Sequence, residues 1–277
     1  MSSAATHYDR VTAAWTRLLG DELHYGVFDD PQDDLTAATG RLTALMVEAA
    51  GFRHEPVSRV LDVGSGTGVI ACRLAGELGT EVLGITTSAV GVAAGQREAE
   101  RRGVAARARF EQRDGTDNRL PDRSFDVVWV LESSHLMRQR DRLLAECARV
   151  LRPGGRICLC DLMLQRDLAF AEVRALRHEL GLLRDVFGDA HMERIGYYTD
   201  GLTSAGISMD TAIDLTRPTR PTFEHWRANL DQNRRAIERL IGVEDTQKFA
   251  DSTAVLERLW DDGIMGYGLV AGRRDTR

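Results

Sequence analysis

Three glycines fall within five residues, Gly64-Ser65-Gly66-Thr67-Gly68, between an apolar run ending at Val63 and a helical segment opening at Val69. Glycines let the main chain turn sharply and come within contact distance of a ligand. The free N–H groups at a helix start favour an electron-rich or anionic partner. Spacing narrows the choice. A dinucleotide loop reads G-x-G-x-x-G, but here the third glycine comes one residue early and Val69 holds the later position. A triphosphate loop needs Lys-Ser/Thr after its last glycine, and none follows. Further along, His135 stands in Glu132-Ser133-Ser134-His135-Leu136-Met137, directly after an apolar run. An imidazole suits general-base work near neutral pH, and Glu132 beside it is an acid able to polarise or position the ring.

The elements that must hold these groups follow from periodicity. Helical spacing covers Thr6 to Leu19 and Thr36 to Ala50, with the aromatic and acidic stretch GDELHYGVFDDPQDD between them as a loop. From Arg59 short strands alternate with helices: strands at 59–63, 81–85, 108–112, 125–131 and 156–163, helices at 69–78, 88–101 and 138–151. Arg152-Pro153-Gly154-Gly155 reads as a break before the fifth strand. Such alternation means βαβ units and a parallel sheet with right-handed crossovers. His135 and the glycine loop then both sit at carboxyl ends of strands, where wound sheets hold ligands. Beyond Met163 the expected order is a helix over 168–187, a short helix over 199–205, a strand over 207–215, helices over 222–241 and 244–260, and a last strand in Gly263–Gly272.

The bulk properties exclude several classes. The chain has 277 residues, 43% hydrophobic and 28% charged, with net charge −6. This is too apolar for disorder, and no run of about 18 apolar residues marks a membrane span. Lys248 is the single lysine, and arginine pairs such as Arg101-Arg102, Arg234-Arg235 and Arg273-Arg274 stand beside acids as solvated faces. A net negative chain lacks the footprint of a nucleic-acid binder. Cys72, Cys147, Cys158 and Cys160 do not make a zinc pattern and read as reduced core thiols. With no signal-peptide pattern at the start, these thiols fit a cytoplasmic enzyme. His178, His191 and His225 read as solvated or satisfied side chains, and His24 lies in the loop near the start.

VLDVGSGTG, Asp114-Gly115 after the third strand, FDVVW at the fourth and LRPGG before the fifth together resemble the class I methyltransferases dependent on S-adenosylmethionine (SAM). LHYG near the start and GITTS after the second strand are similar to small-molecule members of the tocopherol, cyclopropane-fatty-acid and natural-product kind. VLESSHLM and CDLML resemble sugar O-methyltransferases of the rebeccamycin kind. The resemblance implies an α/β, Rossmann-like fold: a seven-stranded, mostly parallel sheet with helices on both faces and a helical cap. It divides one domain over 1–277 into N-terminal helices and lid (1–55), a SAM-binding core (56–165), a cap (166–262) that carries a strand near 207–215, and a last strand (263–274). It places Gly64, Ser65, Gly66 and Gly68 against the methionyl part of SAM, Thr86 near the ribose, and Asp114 and Gly115 at the adenine. Leu131 would offer backbone to the cofactor's amino group, and Tyr25 would close over the site.

The same resemblance makes His135 the catalytic base and Asp161 its assisting carboxylate, and the sequence offers no convincing set of acidic metal ligands, so no metal is required. Many relatives carry an acid where this chain has Thr86, others a glutamine where it has Gly91, and the rebeccamycin-type enzymes a second histidine where it has Leu136. The expected acceptor is a small natural product, such as a polyketide, glycoside or terpenoid, methylated at oxygen, carbon or nitrogen in antibiotic or other secondary metabolism. Aromatic residues of the cap, Phe187, Tyr197, Tyr198, Phe223, Trp226, Phe249 and Trp260, read either as helix packing or as walls of an apolar acceptor pocket. A methyltransferase-like cyclase that binds SAM without transferring its methyl is the competing reading. The oligomeric state is open, a homodimer being one option.

Overall fold

Short β-branched runs alternating with helical segments build a single sheet. The computed structural model describes residues 14–20, 22–30, 32–53 and 57–276. Seven strands, β1 (Arg59–Val63), β2 (Glu81–Thr86), β3 (Ala108–Gln112), β4 (Phe125–Leu131), β5 (Leu151–Leu164), β6 (Ile207–Asp214) and β7 (Met265–Arg274), lie in the order β3-β2-β1-β4-β5-β7-β6. β1 pairs in parallel with β2 and β4, β2 with β3, and β4 with β5. From β1 the chain winds outward to β2 and β3, then returns to place β4 on β1's other side. That reversal opens a crevice at the carboxyl ends of β1 and β4. Parallel strands are covered on both faces: Val60, Leu61, Val63, Val127 to Val130 and Ile157 to Cys160 are all buried.

The connecting helices match the sequence pattern closely. A helix α1 occupies residues 14–19, and the rest of the first expected helix lies outside the described residues. α2 (Leu35–Ala49), α3 (Val69–Glu77), α4 (Ala89–Arg101) and α5 (Arg140–Val150) follow. Ser88 caps α4, its hydroxyl accepting from the Gly91 N–H at 2.9 Å. β5 starts earlier than the pattern suggests, because Leu151 already pairs with Phe125. The ladder then jumps from Phe125↔Leu151 to Val127↔Arg156, so Arg152 to Gly155 loop out as an irregularity where a full break was expected. All four cysteines are free and buried, and burial pushes the Cys147 thiol up to about 12. Among the described residues, no helix is long and apolar enough to cross a membrane.

Contacts divide the chain into two units. One comprises the chain up to Thr43, Leu162–Arg194 and Asp214–Tyr267. It holds α1, the first part of α2, α6 (Phe170–Ala175), α7 (Arg177–Phe187), α9 (Thr216–Thr219) and α10 (Thr222–Asp261). The helix expected over 168–187 is thus two, parting at Leu176. α10 is broken at Gly242 (φ 87°, ψ 162°), as the two expected helices require. Its arms fold back on each other, Phe223 meeting Trp260 at 5.2 Å, and Arg220, in the turn before it, reaches Asp261 at 3.0 Å. The other unit comprises Ala44–Asp161, Ile195–Ile213 and Gly268–Arg277. It holds α8 (Ile195–Ser204), a residue range assigned to the cap by sequence, together with most of the sheet.

Candidate active site

The glycine loop leaves β1 with Gly64, Gly66 and Gly68 at φ 82°, 54° and 80°, the left-handed region that ordinary side chains resist. A Cβ on Gly64 would stand 2.2 Å from the Ser133 Cβ, whereas a Cβ on Gly66 would meet nothing within 4 Å. The loop is therefore closed against protein at its first glycine and open at its second. Beside it stand two polar groups with no hydrogen-bond partner among the described residues. The Ser65 hydroxyl is buried with no hydrogen-bond partner among the described residues. Asp62, in the otherwise apolar run of β1, is buried, and desolvation alone pushes its carboxyl up to about 7. The open left-handed loop and the helix N-terminus fit close main-chain approach by an electron-rich group, and the buried acid beside them fits a positive charge on the same ligand.

At the next two strand ends the chain offers further polar groups. Thr86 ends β2, and its hydroxyl accepts from the Ser88 N–H at 3.2 Å. Asp114 follows β3, with Oδ1 accepting from the Thr116 N–H and hydroxyl at 2.8 Å each. Its Oδ2 meets no partner among the described residues, which leaves an acceptor for an amino group. Gly115 is buried, and a Cβ there would lie 2.7 Å from Val63. Tyr25 belongs to the first unit. Its ring stacks on Trp260 at 5.2 Å and 10°, with Phe223, Trp226 and Tyr267 around it. Phe223, Trp226, Phe249 and Trp260 are buried against one another there, so these aromatic residues pack that unit's core.

After β4, Leu131 leads into Glu132, a non-glycine residue at φ 45°, and then a 3-10 turn over Ser134–Leu136. Such backbone strain is found at functional sites. The turn brings His135 against Asp161 of β5. Nδ1 lies 2.5 Å from Oδ1, the His135 N–H donates to Oδ2 at 3.1 Å, and the Ser134 hydroxyl donates to Oδ2 at 2.5 Å. The Tyr198 hydroxyl from α8 lies 3.0 Å from Ser134 Oγ. Asp161 is fully buried, and the His135 side chain is 8% exposed, with no partner on Nε2 among the described residues. Burial depresses the imidazole pKa. The Asp161 charge and hydrogen bond, with Glu132 adding to them and Arg140 opposing, outweigh burial and raise it above its ordinary value. The contact fixes the ring through Nδ1 and leaves Nε2 without a partner among the described residues.

Sequence reasoning brought His135 and Asp161 to one edge, and the structure joins them directly. It gave Ser134 no role and read Tyr198 only as a cap aromatic; their partners lie 27 and 64 residues away. Asp62 was legible as an acid inside an apolar strand, though it was not singled out.

Comparison with known proteins fits this geometry. Residues 60–155 match the family model described as a methyltransferase domain. The chain is 32% identical over 268 residues to the 27-O-demethylrifamycin SV methyltransferase of Amycolatopsis mediterranei (strain S699), covering 96% of this chain and 95% of that one. The crystal structure of the 4+2 cyclase SpnF superposes with a TM-score of 0.83 at 26% identity, covering 100% of this chain and 98% of that chain. Mycolic acid cyclopropane synthase CmaA1, solved with S-adenosylhomocysteine and CTAB, shares the fold with a TM-score of 0.86 at 16% identity, covering 98% and 97%. The glycine loop, the strand order and these relatives agree, and the chain belongs to the S-adenosylmethionine-dependent methyltransferases.

Proposed function

We propose that the protein transfers the methyl group of SAM to a hydroxyl of a small natural product, with His135 as the general base. The bound cofactor supplies a methyl activated on a cationic sulfur. The chain's own residues orient the acceptor and take its proton. Orientation of the two reactants is worth up to about 7–11 kcal/mol in favourable cases, and a base adds about 10²–10⁴-fold. The observation that carries the reading is the buried His135–Asp161 pair at 2.5 Å, with Nε2 left without a partner among the described residues. Gly64, Ser65, Gly66 and Gly68 would hold the methionyl part, Thr86 the ribose, Asp114 and Gly115 the adenine, and Leu131 the amino group through its backbone. The acceptor class rests on the rifamycin-pathway relative, whose name specifies O-methylation.

The likeness to SpnF over the whole chain supports one second reading, ring closure with SAM bound but not consumed. One assay separates them. The protein is incubated with methyl-labelled SAM and hydroxylated polyketides, glycosides or terpenoids, and S-adenosylhomocysteine is measured against product. Equimolar S-adenosylhomocysteine and labelled product are expected. An acceptor isomerised with no S-adenosylhomocysteine formed would replace transfer by cyclisation.

A further inference from the structure

We propose that Ser134 and Tyr198 form a hydroxyl relay that keeps Asp161 a pure acceptor and thereby fixes the His135 proton on Nδ1, which makes both of them positioning residues. The assignment rests on the reading of His135 as base. Its argument is a count of protons. A serine hydroxyl has one hydrogen, and at 2.5 Å from Asp161 Oδ2 that hydrogen is committed to the carboxylate. Only lone pairs then remain on Ser134 Oγ, so the Tyr198 hydroxyl, 3.0 Å away, is the donor in that contact. The direction of the chain follows: Tyr198 to Ser134, Ser134 to Asp161.

Asp161 receives at least three hydrogen atoms: the Ser134 hydroxyl and His135 N–H on Oδ2, and the His135 ring on Oδ1. Hydrogen bonds donated to a carboxylate favour its ionised form, which opposes the effect of complete burial. With Oδ1 obliged to accept, the imidazole must carry its hydrogen on Nδ1, which leaves Nε2 as a lone pair. Ser134 and Tyr198 are themselves fully buried. A buried phenol and a buried hydroxyl are costly unless paired, and a network that is complete is stiff. The charged groups acting on His135 are Asp161, Glu132 and Arg140. The two hydroxyls add donor dipoles pointing at the pair. Such dipoles favour the net-negative state, in which the ring has lost its second proton. Removing them must leave His135 protonated to higher pH.

The test uses the full chain with ring-labelled histidine, titrated by NMR without cofactor, beside pH profiles of kcat/KM. Tyr198→Phe removes one oxygen and keeps the ring, so it remains informative even if Ser134→Ala does not fold. The expected shifts of the His135 midpoint are upward, by about one pH unit for Ser134→Ala and about half that for Tyr198→Phe. The acid limb of the rate profile should move with the midpoint. Tyr198→Phe should add nothing in a Ser134→Ala background, because its effect runs through Ser134. Midpoints unchanged in both variants, or additive shifts in the double variant, would overturn the relay. A midpoint that shifts while turnover is indifferent to His135→Gln upholds the relay and removes His135 from the role of base, so the two ideas fail separately.

Discussion

The Ser133 hydroxyl donates to the Val63 carbonyl at 2.7 Å. This one bond fastens the turn carrying His135 to the last residue of β1, immediately before the glycine loop. The base and the loop proposed to hold the methyl donor are therefore not positioned independently. The absence of a side chain at Gly64 permits the approach, since a Cβ there would overlap Ser133.

Two alanine substitutions in the loop should separate folding from binding. Gly64→Ala combines a left-handed φ with a clash at 2.2 Å; it should cost about 2–4 kcal/mol of stability and abolish SAM binding. Gly66→Ala meets open space and pays only the backbone penalty of about 1–2 kcal/mol. SAM affinity should nevertheless fall at least tenfold, about 1.4 kcal/mol or more. Denaturation curves and titration calorimetry report the two quantities. Unchanged SAM affinity in Gly66→Ala would show that the loop does not cradle the cofactor.

The acid limb of kcat/KM should lie above pH 6.5, because Asp161 and Glu132 outweigh burial in their effect on His135. A base is active deprotonated, so a raised pKa means activity lost as pH falls through that value, about tenfold per unit below it. Asp161→Asn removes the charge, and kcat should drop by about 10²–10⁴-fold, while calorimetry should find SAM affinity close to that of the parent protein.

SAM binding should be coupled to a proton through Asp62. Without ligand, burial pushes its carboxyl up to about 7, and it has no hydrogen-bond partner among the described residues. The sulfonium and ammonium groups of SAM favour its ionised form, so binding releases a proton at and below neutral pH, and affinity weakens as pH falls from 7. Calorimetry in buffers of different ionisation enthalpy measures that proton. Asp62→Asn should erase the buffer dependence, and its persistence in the variant would assign the proton elsewhere.

Stability should depend on a residue remote from the site. Arg274, at the end of β7, donates through Nη1 to the carbonyls of Ala148 at 2.6 Å and Arg149 at 2.9 Å, and to that of Leu151, at the carboxyl end of α5. Helix ends leave such carbonyls unsatisfied and negative. Arg274→Ala should lower stability by about 1–3 kcal/mol, with KM for SAM unchanged at temperatures where the variant is folded. Chemical denaturation with a parallel activity assay checks both halves.

The sequence alone determined the order of strands and helices, the glycine turn after β1, and the placing of His135 just beyond the end of β4; Asp161 lies within β5. Those features are local: helical periodicity, β-branched runs and glycine spacing act over a few neighbouring residues. The family motifs are local in the same way. What only the tertiary structure decided is which of these groups touch. The bond from Ser134 to Asp161 spans 27 residues and that to Tyr198 spans 64, and both depend on sheet register and on where α8 packs. Likewise, Asp62 is visible as an acid in an apolar strand, but its lack of a partner exists only once β2 and β4 flank it. Long-range pairing is a property of the folded sheet, and no periodicity within a segment encodes it.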